Sequence, residues 1–417
     1  MKPRFQRWGK AIPRFIWIIL AVMLLGLAVA QLPPIKSRLS WRLETARAYL
    51  RGVIDPVEDL PAPDVTVDTL QRMPTELPTA QPGLESQTPK PLLPTPTPLP
   101  VSVQLTPPPY EKQDMNNCGP ATLSMFLNMF GWGGDQYAVS DVIKPIPQDR
   151  NVNIDELLFY TRNYVGWLRT GFRVGGTVDL LRQFIAAGYP VVIEEGFLME
   201  EMFWPNDDLW AGHYLLLTGY DDTAGTFLTQ DSFLGENKVV SYTDLDRTWQ
   251  TFNRVFFFAY PPEQEAEVQR LLGEDWDEAA NRRRALETAR AETRSQPSNA
   301  FAWFNLGSNL VYFEDYPAAV EAYDRARQLG LPQRMLRYQF GPFFAYFHAH
   351  LNTDLLALTE YALQITPHSE EALLWHGWAL YRAGETAKAI ADWQAALEAN
   401  PTYVDAQYAL DFVGTVP

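Results

Sequence analysis

Cys118 is the sole cysteine of a 417-residue chain, and His213 is the only histidine ahead of His348. A thiol with no partner in its own chain forms no internal disulfide, so its use has to lie elsewhere. Asn116 and Asn117 before it, Pro120 after it and Gly131 further on predict a helix from about Cys118 to Phe130. The thiol then sits at the helix N-terminus. Unpaired N–H groups and the helix dipole favour an anion there, which raises the fraction of thiolate, the form that attacks carbonyls. Met125, Phe126, Leu127, Met129 and Phe130 make this helix apolar nearly all round, which places it at a domain centre and gives the sulfur a rigid seat.

Such a nucleophile needs a base. His213 opens HYLLLTGYDDTAGTFLTQDS, which reads as a β-hairpin with strands over 213–220 and 226–232 and a turn over 221–225. That turn sets Asp231 across from His213 or one pleat away, on the same face. A carboxylate there orients the imidazole while the other ring nitrogen serves the thiol. Gln113, a short way ahead of Cys118, can aim its amide N–H where negative charge develops, together with the Cys118 backbone N–H. Each residue has a plainer use: a small buried hydrophobe, a strand histidine bonding a carbonyl, a turn aspartate, a surface glutamine. The four make chemical sense together or not at all.

Q-x4-C-G-P-A, then a helix, then G-x-P-V-V-I, then G-H-Y, then a D-S step: from Tyr110 to Tyr260 this pattern resembles the papain-like cysteine peptidases of the bacteriocin-processing, double-glycine leader peptidase type. The resemblance implies an α+β papain-like fold, a central helix bearing the cysteine packed on an antiparallel sheet bearing His and Asp. It assigns Cys118 as nucleophile, His213 as base, Asp231 as orienting group and Gln113 as oxyanion donor. The best-known members are fused to a peptide transporter and face the cytoplasm. This chain is organised differently, so leader-peptide cleavage is not carried over with the fold.

Between the strand PVVIEEG and His213 lies FLMEEMFWPNDDLWAG, whose Trp204 and Trp210 are candidates for a wall or lid of the substrate cleft. Its acidity favours basic or neutral peptides, and a fold-specific insertion without substrate contact is the alternative. Glu194 and Glu195 read as solvated or structural charges at a strand end. The sequence shows no metal-ligand cluster and no phosphate loop, so no cofactor is expected. His348 and His350 face different directions on a helix and read as packing or surface residues.

These elements belong to a longer organisation. An apolar content of 47% with 13% aromatics supports two ordinary domains, and a net charge of -16 argues against a nucleic acid partner. Lys2, Arg4, Arg7, Lys10 and Arg14 precede the apolar run Phe15–Ala30. Residues 1–32 therefore read as a basic cytoplasmic tip and a transmembrane signal-anchor helix, with everything behind it extracytoplasmic. Ala28-Val29-Ala30 also fits a cleavage site, and a secreted product is the alternative. Residues 33–60 read as a juxtamembrane helix, 61–109 as a Pro/Thr-rich linker, 110–262 as the peptidase-like domain and 263–417 as helical repeats. Pro297, Pro332, Pro367 and Pro401 recur at about 35-residue intervals, as in tetratricopeptide arrays. Trp303, Leu306, Gly307, Ala319, Tyr323 and Ala326 fill one copy, and Gly377, Ala389, Trp393 and Ala396 another. A copy around Tyr346 and Ala362 is degenerate, and PTYVDAQYALDFVG reads as a capping helix.

The sequence thus points to an exported, membrane-tethered cysteine peptidase acting on a peptide or protein, with repeats that bind a protein partner. An acyltransferase using the same thioester, and a tethered scaffold without turnover, are the alternatives. On this reading, deletion after Pro262 should leave cleavage of small peptides intact.

Overall fold

The computed structural model describes residues 43, 46–47, 49–54, 56, 58, 60–63, 98–146, 151–200 and 209–415. The run Phe15–Ala30 lies outside them, and among the described residues no helix is long and apolar enough to cross a membrane. The chain divides into two units, 1–56 with 203–206, and 57–202 with 207–417. In the first, the described residues between 43 and 54 are helical.

The second unit opens on β1 (Ser102–Gln104), followed by α1 (Cys118–Asn128), α2 (Gln136–Ile143), α3 (Ile154–Tyr164), β2 (Arg169–Arg173), α4 (Val178–Ala186) and β3 (Val191–Leu198). The long hairpin β4 (Trp210–Asp221) and β5 (Thr226–Asp231) comes next, then β6 (Gly235–Ser241), α5 (Tyr242–Trp249) and β7 (Phe256–Tyr260). The strands form one antiparallel sheet in the order β2-β7-β3-β4-β5-β6, with β1 added to β4. β3 is buried along its first six residues and β7 throughout. Both of their faces are covered. Val192, Tyr214, Leu216 and Phe257 pack with α1, α2 and α3. Val191, Ile193, Leu215, Leu217, Phe256 and Phe258 pack with α4 and α5 on the opposite side, where α6 (Glu265–Leu272) joins them.

Behind the sheet run α7 (Glu278–Ser295) and the pairs α8 (Ala300–Tyr312) and α9 (Tyr316–Leu329); after the single-turn α10 (Met335–Tyr338), α11 (Gly341–His348) and α12 (Asn352–Ile365); and α13 (Glu370–Arg382) and α14 (Thr386–Ala399). Helix α15 (Val404–Thr415) ends the stack. Small residues at fixed places let the paired helices close up. A Cβ on Gly307 would come within 2.7 Å of the Tyr323 ring, and one on Gly377 within 2.4 Å of the Trp393 ring. The degenerate copy is the short one, since α11 has only 8 residues.

The sequence-based boundaries give way in two places. Residues 102–104, read as linker, are a strand. Pro is absent from Val101 to Leu105, so the N–H groups are available, and Leu105 N–H bonds Thr218 O at 2.8 Å and Asp222 N–H bonds Val101 O at 2.8 Å. The start of the linker also meets the repeats. Arg327 donates to the carbonyl of Pro61 and Tyr361 to that of Glu58, while Leu60 packs on the helical core.

Candidate active site

Helix α1 starts at Cys118 as expected, and its buried residues run from Gly119 to Leu127. Asn117 is the N-cap by position, but its side chain does not cap the helix. Its Nδ2 instead donates to Gln136 Oε1 at 2.8 Å. Asn116 takes a left-handed φ of 53°, a conformation that Asn tolerates better than most residues. Cys118 is partly open to solvent.

His213 lies in β4, opposite Glu195 of β3. Its Nε2 is 2.9 Å from Asp231 Oδ1, and both side chains are buried. The hairpin turn alone does not produce this pairing. Extending the ladder straight from Gly219↔Leu228 would set Asp231 against Leu216, on the wrong face for His213. A bulge at Thr218 shifts the register to Leu217↔Thr229 and Leu216↔Gln230. Asp231 then falls level with Leu215, two residues from His213 and on its face. Asp231 Oδ1 also accepts the N–H groups of Phe233 (2.8 Å) and Leu234 (2.9 Å), which lock the carboxylate in place.

The residue next to the acid anchors the glutamine. Gln113 N–H donates to Ser232 O at 2.9 Å, and Ser232 Oγ donates to Gln113 Oε1 at 2.9 Å. With its carbonyl oxygen held, the Gln113 amide presents its NH₂ as the remaining donor. Tyr110 supports the same corner through its hydroxyl, 3.2 Å from Asp231 O.

Burial pushes the Cys118 thiol up, but a hydrogen bond to His213, the imidazole charge, the Tyr214 backbone N–H and the Lys144 ammonium outweigh it and bring the thiol below its ordinary range. For His213, burial alone would lower the pKa; the bonds to Asp231 and Cys118 reverse that and push it up to about 10. Desolvation raises Asp231, yet His213 and the Phe233 and Leu234 N–H groups hold it low. The three shifts all lean the same way, toward thiolate, imidazolium and carboxylate. With Nε2 on Asp231, Nδ1 is left for the sulfur.

Other expectations change. Glu194 and Glu195 are neither solvated nor terminal; both are buried within β3. Burial, followed by the neighbouring sulfur, pushes Glu194 well above the usual carboxyl range despite a bond to Tyr214. Burial likewise raises Glu195, against a bond from Thr248. Trp210 is not a cleft wall. It is 7% exposed and stacks on Phe252 and Phe301 at ring distances of 5.8 and 6.0 Å, joining the sheet to the repeats. Trp204 lies outside the described residues. The aromatic flank of His213 is Phe197 and Phe233, 5.1 and 6.5 Å from its ring. Among the described residues no cluster of His, Cys, Asp and Glu is arranged to hold a metal. His348 stacks on Tyr316 at 4.4 Å.

Residues 100–256 match the model of the Peptidase_C39 like family. That stretch is therefore a C39 peptidase-like domain, papain-like in architecture, and it is followed by tetratricopeptide-like helices. Solved structures similar to the chain include a protein described as a C39-like peptidase from Bacillus anthracis, 17% identical, covering 38% of this chain and 97% of that one with a TM-score of 0.31. Another is a double glycine motif protease from the AMS/PCAT transporter, in complex with the leader peptide, at 18% identity, 38% and 94% coverage and a TM-score of 0.28. YrrB, a tetratricopeptide protein with an unusual peptide-binding site, is similar at 20% identity, 34% and 71% coverage and a TM-score of 0.28. No curated protein matches the chain.

Proposed function

We propose that the chain is a cysteine peptidase in which Cys118 is the nucleophile, His213 the acid and base, Asp231 the group that orients and charges the imidazole, and Gln113 an oxyanion donor. One observation carries this reading: a buried imidazole bonded to Asp231 at 2.9 Å and near enough to a thiol at a helix N-terminus that each shifts the pKa of the other. The thiolate attacks a peptide carbonyl, forming an S–C bond and an oxyanion that faces the Gln113 amide and the Cys118 N–H. Imidazolium gives its proton to the departing amine as the C–N bond breaks. Water, deprotonated by His213, then hydrolyses the thioester and regenerates the pair.

The remaining parts of the reading rest on the amino-acid sequence. The cations ahead of Phe15–Ala30 support a single anchor with the peptidase domain, 110–262 extended back to β1, and the repeats, 263–417, outside the cytoplasm. The repeats are read as a surface for a protein partner. The decisive experiment is alkylation of the single thiol: at pH 6 iodoacetamide should label Cys118 far faster than a model thiol, and His213→Ala should remove the excess. Equal rates in the unaltered protein would end the peptidase reading.

A further inference from the structure

The loop that carries both Gln113 and Cys118 has almost no regular structure of its own, yet it is gripped at close intervals by helix α2. Gln136, at the first position of α2 and 3% exposed, bonds the loop through its backbone N–H and through both ends of its side-chain amide. Its backbone N–H donates to Glu111 Oε1 at 3.0 Å. Its Oε1 accepts from Asp114 N–H at 2.7 Å and from Asn117 Nδ2 at 2.8 Å, and its Nε2 donates to Lys112 O at 2.9 Å. At the other end of α2, Lys144 is 8% exposed and its Nζ donates to Asn116 O at 2.5 Å. Tyr137 adds a bond to Asp114 Oδ2 at 2.8 Å. The bonds fall on Glu111, Lys112, Asp114, Asn116 and Asn117, on both sides of Gln113, while Gln113 itself is tied to Ser232.

We propose that Gln136 and Lys144 are positioning residues of the active site: together they fix the loop 111–117 so that the oxyanion donor and the nucleophile are presented in register. The inference rests on the peptidase reading. Gln136 supplies the geometry, since a buried amide that satisfies two donors and one acceptor tolerates only one loop conformation. Lys144 supplies geometry and charge. A buried cation near a thiol favours its anionic form, so its removal makes the thiolate harder to form. Other titratable groups that act on the sulfur are His213 and Tyr214 on β4 and Glu194 on β3, Tyr214 also through its backbone N–H.

The test uses the full chain and the pH profile of iodoacetamide labelling, in which Cys118 is the only reporter. Lys144→Met should move the midpoint of the profile upward by roughly half a unit or more, slowing labelling at low pH by about threefold or more. Lys144→Arg, which keeps the charge, should leave the midpoint within 0.2 units or so of the parent, an order-of-magnitude tolerance. Gln136→Leu should slow single-turnover acylation by an activated ester while leaving the labelling midpoint in place. A Lys144→Met profile that overlays the parent, or arginine behaving like methionine, overturns the role of charge. Unchanged acylation in Gln136→Leu overturns the role of the clamp. If the parent protein itself labels like a model thiol, the peptidase reading has failed instead, and the two failures are distinct. A melting transition retained in Lys144→Met and in Gln136→Leu separates these outcomes from unfolding.

Discussion

A thiolate–imidazolium pair needs an acid that is never protonated in the working range, and Asp231 is built for that. It receives His213 and two backbone N–H groups on one oxygen, so its own pKa stays low while it pushes that of His213 up to about 10. Replacing it with Asn keeps the shape and removes the charge. The imidazolium then falls back toward its ordinary range, the thiol rises, and labelling of Cys118 at pH 6 should drop roughly tenfold. The same change has a stability signature whose sign is fixed by linkage. A His raised in the folded state stabilises it fully below about pH 6.5, and that contribution is lost as pH rises through about 10. The gap in urea midpoint between the parent and Asp231→Asn should therefore be wide near pH 6 and close as pH approaches 10. A gap that is constant across this range would mean that the acid does not act by charging the imidazole. The candidate residues Cys118, His213, Asp231 and Gln113 stand out in the sequence because each is rare or stands beside a strong local signal. Gln136 and Lys144 do not. They are ordinary residue types some way along the chain, and only the packing of α2 against the loop reveals them.

At the scale of elements, the geometry of the candidate site depends on irregularities that period and propensity do not announce. The bulge at Thr218 decides which face of the sheet Asp231 occupies, although the hairpin that contains it follows from its turn residues alone. The same region of β4 accepts β1, and here the close approach leaves no room for a side chain. A Cβ on Gly219 would lie 2.7 Å from the carbonyl oxygen of Val103, which is backbone and cannot swing aside. Gly219→Ala should therefore push β1 off the sheet at a cost of ~1–3 kcal/mol. Limited proteolysis should then open between residues 98 and 110, while the labelling rate of Cys118 changes little. A melting curve and a digest identical to those of the parent would contradict the placement of β1. The proline-rich composition hid this strand, because prolines on both sides of Val101–Leu105 gave the whole stretch the look of a spacer. Burial of Glu194 and Glu195 was hidden for a related reason. Charged residues within a strand suggest an edge or an end, and only the sheet order shows β3 to be internal, between β7 and β4.

At the scale of the molecule, the alternation of helix and strand up to residue 262 and the helices beyond it suggest two separable modules, but the cores say otherwise. Val174, Trp210, Phe252 and Val255 of the sheet region share one apolar cluster with Phe304, Met335 and Leu336 of the helices. The short turn Gln250–Phe252 and the two left-handed residues after it act as the joint. Asn305 Nδ2 donates to Gln250 O at 2.6 Å, and Asn253 and Asn309 exchange side-chain bonds at 3.0 and 3.2 Å. Gln339 Nε2 reaches Thr251 O at 3.0 Å, and Arg254 pairs with Asp246 and with Glu292 at 2.6 and 2.7 Å. A contact of this kind is a core cut in half rather than a loose interface between domains. The expectation that deletion after Pro262 spares cleavage of small peptides is therefore replaced by its opposite. Such a truncation exposes Trp210 and Phe252 and takes Glu292 away from Arg254, and the shortened chain should lose its cooperative melting transition together with fast labelling of Cys118. The finer probe is Trp210→Ala in the full chain, which removes an indole stacked between sheet and repeats and should cost ~3–5 kcal/mol. Because Trp210 lies on the same strand as His213, only three residues away, loss of that anchor should also slow labelling of Cys118 even where the protein stays folded. Normal labelling and a cooperative transition in the truncated chain would show that the sheet stands alone, and would return the repeats to the role of a detachable adaptor.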